Sequence, residues 1–222
     1  MIKWKCGLLI ALAPAGMTGV PCLAQGQPGQ YEMRTEKQQA KRLAKMTMLK
    51  VEGVANAVTV SDDPFESAVI LSSSAVFPSP RSFTDRVLGE NFIRVFVDRK
   101  TGKAAFQLYQ SVSYLGDWRR FEQVNIMFPE GLRTKSLTRI DDKMRDCYAV
   151  NFCGREETLG FDLSEEDMEA IAAMKPEANG APALLRFRFK SNASFDWTDD
   201  ISPIEAAGVL VALKRWREAK GL

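Results

Sequence analysis

The 222-residue chain is 45% hydrophobic and 26% charged and contains no histidine, the composition of a globular protein with room for one sizeable domain. Without histidine there is no imidazole base, no His-activated serine or cysteine nucleophile and no His-bound zinc, and no phosphate loop of the GxxxxGKS or GxGxxG type occurs. Two of the 30 Lys and Arg residues and no acid fall in the first 24 positions, so 28 basic residues meet 28 acidic ones thereafter, a balance that gives no support for nucleic-acid binding.

Those first residues read as a secretory leader. Lys3 and Lys5 precede an apolar run from Gly7 to Met17, and VPCLA ends on a small residue, which predicts a signal peptide over 1–24 with cleavage between Ala24 and Gln25. A membrane anchor is the weaker reading: Pro14, Gly16, Gly19 and Pro21 interrupt a run shorter than the roughly 20 apolar residues a spanning helix needs. Lipid attachment at Cys22 is weaker still, because Pro21 stands where a small residue is wanted. The leader takes Cys6 and Cys22 with it, leaving Cys147 and Cys153. An even pair in an exported chain points to a disulfide rather than a redox or metal site.

Residues 25–50 form a polar, basic linker or arm. A Gly, Pro and Gln spacer gives way to helix formers, with six Lys and Arg from Arg34 to Lys50 against Glu32 and Glu36. Few large apolar residues interrupt the charges, so a solvated arm is preferred over a membrane-surface helix. From 51 to 222 we expect a single β-rich domain. Val51–Val60 and Glu66–Val76 read as strands separated by the turn SDDP, and FPSPRS from Phe77 to Ser82 as a crossing. The stretch Phe92–Met127 reads as three consecutive antiparallel strands, Phe92–Val97, Ala104–Tyr114 and Arg120–Met127. Asp98 and Gly102 suit a bulged hairpin turn, and Gly116–Trp118 a second turn. FPEGLRTKS reads as a loop, Leu137–Asp141 as a short strand, and Arg145–Phe161 as a hairpin around Cys153 and Gly154. Ser164 and Asp167 predict a capping box that opens a helix near 165–174. In LRFRFK, Leu185, Phe187 and Phe189 alternate with cations as in a half-buried strand. Ser202, Pro203 and Glu205 then predict the cap and capping box of a helix near 203–219. The fold class expected is α+β, mainly β, an antiparallel meander sheet or sandwich of about seven to nine strands with the last helix packed on it.

Candidate chemistry is sparse. Asp62 and Asp63, Asp141 and Asp142, and Asp196, Asp199 and Asp200 could each seat calcium or supply an acid–base pair, but none has the spacing of a calcium loop, and each is read as turn or cap chemistry. A straight strand from Cys147 to Cys153 would hold their α-carbons about 20 Å apart, whereas a disulfide needs less than about 7 Å. Either the intervening residues curl into a clipped loop or the thiols stay free, and export favours the loop. Tyr109 and Trp118 are the candidate interaction surface, with Tyr114, Arg119 and Arg120 nearby. No metal or cofactor is expected. The function expected is that of an exported, non-catalytic, β-rich protein of the bacterial periplasm, binding a protein or envelope component or stabilising an envelope assembly. The alternatives are a carboxylate-dependent hydrolase of envelope glycans or peptides and a lipid-binding sandwich or barrel. A core filled by Phe92, Phe96, Phe106, Phe187 and Phe189 would argue against the latter.

Overall fold

The computed structural model describes residues 36–76, 88–147, 153–176, 182–192 and 195–222. The leader with its Ala24–Gln25 bond, and the stretch from Phe77 to Ser82, lie outside the described residues. The chain is mostly strand, folded into two antiparallel sheets, with helices α1 (Glu36–Thr47), α2 (Val51–Ala57), α3 (Glu165–Ala172) and α4 (Pro203–Lys220).

The first sheet is built on a hairpin. In β3 (Leu88–Asp98) and β4 (Ala104–Leu115), β-branched and aromatic residues alternate in phase, and the register pairs Ile93 with Leu108 and Val95 with Phe106. The turn closes as its residues require. The Asp98 carboxylate accepts the amides of Lys100 and Thr101 at 3.0 and 2.8 Å, and Gly102 takes the left-handed conformation at φ 68° that a side chain would resist. Strands β1 (Thr59–Ser61), β2 (Ala68–Ser72), β7 (Thr138–Cys147) and β8 (Cys153–Leu163) complete the order β1-β2-β3-β4-β8-β7.

The expected three-stranded meander ends at β4. Gly116 and Arg120 sit at positive φ, 103° and 55°, so the connection leaves the plane of the sheet. β5 (Phe121–Phe128) then founds a second sheet, in which β10 (Asp196–Ile201), β9 (Leu185–Ser191), β5 and β6 (Gly131–Ser136) lie side by side in that order. There it pairs with β9 and with β6, the segment read as a loop. Leu137 alone separates β6 from β7, which runs for ten residues rather than the short strand expected. With β10 there are ten strands among the described residues, and two of the Asp groups assigned to turns, those at 141–142 and 196–200, lie within strands. At Asp63 the turn reading holds: its side chain accepts the Phe65 amide at 3.0 Å.

A second correction concerns 51–60, which is helix α2 followed by the short β1. Val51, Val54, Ala55 and Val58 recur at helical spacing, and Val54 and Ala55 are buried. The helix lies so close to α4 that a Cβ on Gly208 would come within 2.4 Å of the Val54 Cβ. The other helix ends follow the sequence more closely. Ser164 and Asp167 form the reciprocal capping box at 3.0 and 3.1 Å. Ser202 caps α4, Pro203 occupies its first turn and Gly221 closes it.

The core lies between the inner faces of the two sheets and beneath α3 and α4. Phe161 meets Phe187 at 5.6 Å and Phe187 meets Phe189 at 5.5 Å, both edge to face. Met168, Ile171, Ala206, Val209 and Leu213 close the core from the helices. Phe106, Phe187 and Phe189 fill it as expected, but Phe92 and Phe96 do not belong to it: they are half-buried on the opposite face of β3. Among the described residues no barrel closes.

Candidate functional site on the outer face of the six-stranded sheet

Two of the buried carboxylates, Glu157 and Glu205, have no exposed surface and organise the interior. Glu157 of β8, in phase with inward Leu159 and Phe161, is fully buried. One of its oxygens accepts the amides of Arg119 and Arg120 at 3.1 and 3.0 Å, and the other accepts the Phe121 amide at 3.3 Å and Arg139 at 2.9 Å. The Tyr114 hydroxyl donates to the same carboxylate and accepts the Arg119 amide. Burial, then that bond to Glu157, pushes the Tyr114 hydroxyl well above the usual tyrosine pKa. This cluster pins the crossover from the first sheet to the second.

Glu205 is also fully buried, in the first turn of α4. It does not turn back to cap its own helix as expected. One oxygen accepts the Ser73 hydroxyl at 2.6 Å, and the other has no hydrogen-bond partner. Burial pushes its pKa up to about 7, helped by buried Asp199 and opposed by Ser73 and by Arg42 of α1. Arg42 reaches Asp199 at 3.3 Å, the Asn91 side chain at 2.8 Å and the Asp200 carbonyl at 3.0 Å, docking α1 onto the body. A raised acid beside a second carboxylate is a pattern found in acid–base catalysis, but both groups are closed off from solvent. Two open depressions, about 310 and 290 Å³, have no carboxylate pair in their lining. Among the described residues no three His, Cys, Asp or Glu side chains converge as a metal site would need, and no helix is long and apolar enough to cross a membrane.

The outer face of the six-stranded sheet is different. Its central row pairs Phe92 with Tyr109 and Tyr109 with Gly160, and the next row pairs Arg94 with Gln107 and Gln107 with Asp162. The rings of Phe92 and Tyr109 stack at 4.4 Å, and the Arg94 guanidinium lies 4.2 Å from the Tyr109 centroid and 5.4 Å from that of Phe92. A third row, Ile70, Phe96 and Ala105, leads into the 290 Å³ depression. These side chains are mostly half-buried, and no described helix or strand covers them. Gly160 belongs to this packing: a Cβ there would meet the Gln107 amide carbon at 2.7 Å.

Of the expected surface, Tyr109 therefore stands at the centre. Trp118 is elsewhere, in the crossover, half-buried between the guanidinium groups of Arg120 at 4.9 Å and Arg155 at 5.1 Å. Cys147 and Cys153 are opposite each other at the ends of β7 and β8, their sulfurs bonded and their α-carbons 3.9 Å apart. The residues the sequence reading missed left unequal signals. Arg94 stands between Phe92 and Phe96 at a spacing of two, the mark of an outward cation–aromatic row, and Glu157 is in phase with a buried run. Arg42 had nothing to set it apart from the other cations of the arm.

No family model, curated protein or solved structure matches this chain.

Proposed function

We propose that the chain is an exported, non-catalytic binding module that meets an envelope partner through the outer face of its six-stranded sheet. One observation carries this reading: the stacked row of Phe92, Tyr109 and Arg94 on a face that no described element covers, a surface rich in the residue types that dominate interfaces. The leader-like pattern of Lys3, Lys5 and the apolar run to Met17, and the bonded pair Cys147–Cys153, support an oxidising compartment, the bacterial periplasm. The buried carboxylates have structural partners and no access, which favours binding over hydrolysis.

The test is a photo-reactive amino acid placed at Gln107, on this face, and at Arg188, on the outer face of the four-stranded sheet. Illumination of intact cells is expected to give a discrete cross-linked species from position 107 that position 188 does not give. Equal products from both positions, or none from 107, would overturn the reading. Sequencing the N-terminus of the exported protein is expected to begin at Gln25; a mature form beginning at Met1 would remove the export part.

A further inference from the structure

Arginines elsewhere in the molecule are often engaged by acids. Arg99, Arg120, Arg139, Arg145 and Arg217 each hold a carboxylate within 3 Å. Arg94 holds no carboxylate among the described residues; its guanidinium rests on the rings of Tyr109 and Phe92 instead. Stacking fixes the plane of the group without using its N–H donors, so the fork is pre-organised and, among the described residues, unspent. Of the acids on this face, Asp141 holds Lys143, Glu156 holds Arg145, and Asp162 meets the Gln107 amide at 3.5 Å. Because the cation lies over the tyrosine ring, a sugar ring has no free aromatic face to stack on there. The chemistry presented is a planar donor pair suited to a carboxylate.

A second contact is set by the strand itself. Phe96 follows Arg94 by two residues on the same face, about 7 Å along β3, and it opens on the depression lined also by Ala68, Asp98, Lys103, Ala104 and Ala105. Alternate side chains of an extended peptide have that same separation. Building on the binding reading above, we propose that this face takes an extended acidic peptide segment of a protein partner. A Glu or Asp carboxylate accepts the Arg94 fork, and an apolar side chain two residues away enters the depression beside Phe96.

The experiment titrates the full mature protein with a blocked peptide that repeats Glu-Ser-Leu, following nitrogen–proton correlation spectra that include the Arg94 side chain. Expected shifts centre on Arg94, Phe96, Ala105 and Tyr109, and weaken when ionic strength rises. Replacing Glu by Gln in the peptide, which leaves the protein untouched, is expected to weaken binding about tenfold or more, the scale of a charge-assisted pair of bonds. Arg94→Lys keeps the charge, loses the fork and is expected to fall between Arg94→Gln and the native protein. Equal binding of the Gln peptide, or shifts that map to the four-stranded sheet, would overturn the proposal. If position 107 still cross-links a partner while the acidic peptide causes no shift, the peptide class fails and the binding module stands; loss of both removes both.

Discussion

The two faces of β3 and β4 are made from the same strands and differ only in the parity of their residues. On one face Ile93, Val95, Leu108 and Phe106 have no more than 1% exposure; on the other, Phe92, Arg94, Gln107 and Tyr109 remain half-buried beneath no described element. Inward residues gain from complete removal from water, roughly 25 cal/mol per Å² of apolar surface, and carry the fold. Outward ones gain only from stacking on one another, so their identity is little constrained by stability and open to be set by a partner.

That contrast predicts unequal costs. Phe161→Ala, which empties the centre of the ring cluster, is expected to cost about 4 kcal/mol in urea unfolding, while Tyr109→Ser on the outer face costs less than about 1 kcal/mol. Similar costs for both would show that the outer face is core. Next in size is Glu157→Gln, expected at about 3 kcal/mol because Arg139 and three backbone amides lose an ionised acceptor. A loss below about 1 kcal/mol would mean that the crossover does not depend on it.

Glu205 should reveal itself through pH. Its folded pKa, about 7, lies above the ordinary 4.5, so the folded state holds the proton more tightly than the unfolded state. The resulting stability is fully present below about 4.5 and is lost as pH rises through 7, on the order of 2–3 kcal/mol over that window. Glu205→Gln is expected to flatten this decline, matching the native protein near pH 4.5 and exceeding it at pH 8. Parallel stability curves for the two proteins would contradict the assignment. Smaller again, the Cys147–Cys153 bond closes a short loop worth about 2 kcal/mol in the chain-entropy estimate. The unfolded, unreduced mature chain should therefore titrate no free thiol, and a titre of two would refute the bond.

How far the sequence foretold this molecule depended on whether the deciding interaction was local. Turn and cap signals at Asp98, Gly102, Ser164 and Ser202 act within a few residues and were legible. So was the alternation of Leu185, Phe187 and Phe189, because period two states which face is buried. The path of β5 was not, since the exit from the sheet is held by Glu157, which lies more than thirty residues beyond the crossover. For 51–58 the short apolar run satisfied both periods, and only packing of Val54 against Gly208 selects the helix. The candidate site was half legible: Tyr109 stood out as an aromatic, but Arg94 and Phe92 became its partners only through cross-strand register, and Trp118 was grouped with them by proximity in sequence alone.

The most direct test combines both halves of the contrast in one protein. A Phe92→Ser, Arg94→Glu variant carrying the photo-reactive residue at position 107 should unfold within about 1 kcal/mol of its parent, the scale of a cross-strand side-chain pair, and should lose the cross-linked species. A variant that unfolds several kcal/mol earlier, or one that keeps the cross-link, would contradict the claim that this face exists for a partner rather than for the fold.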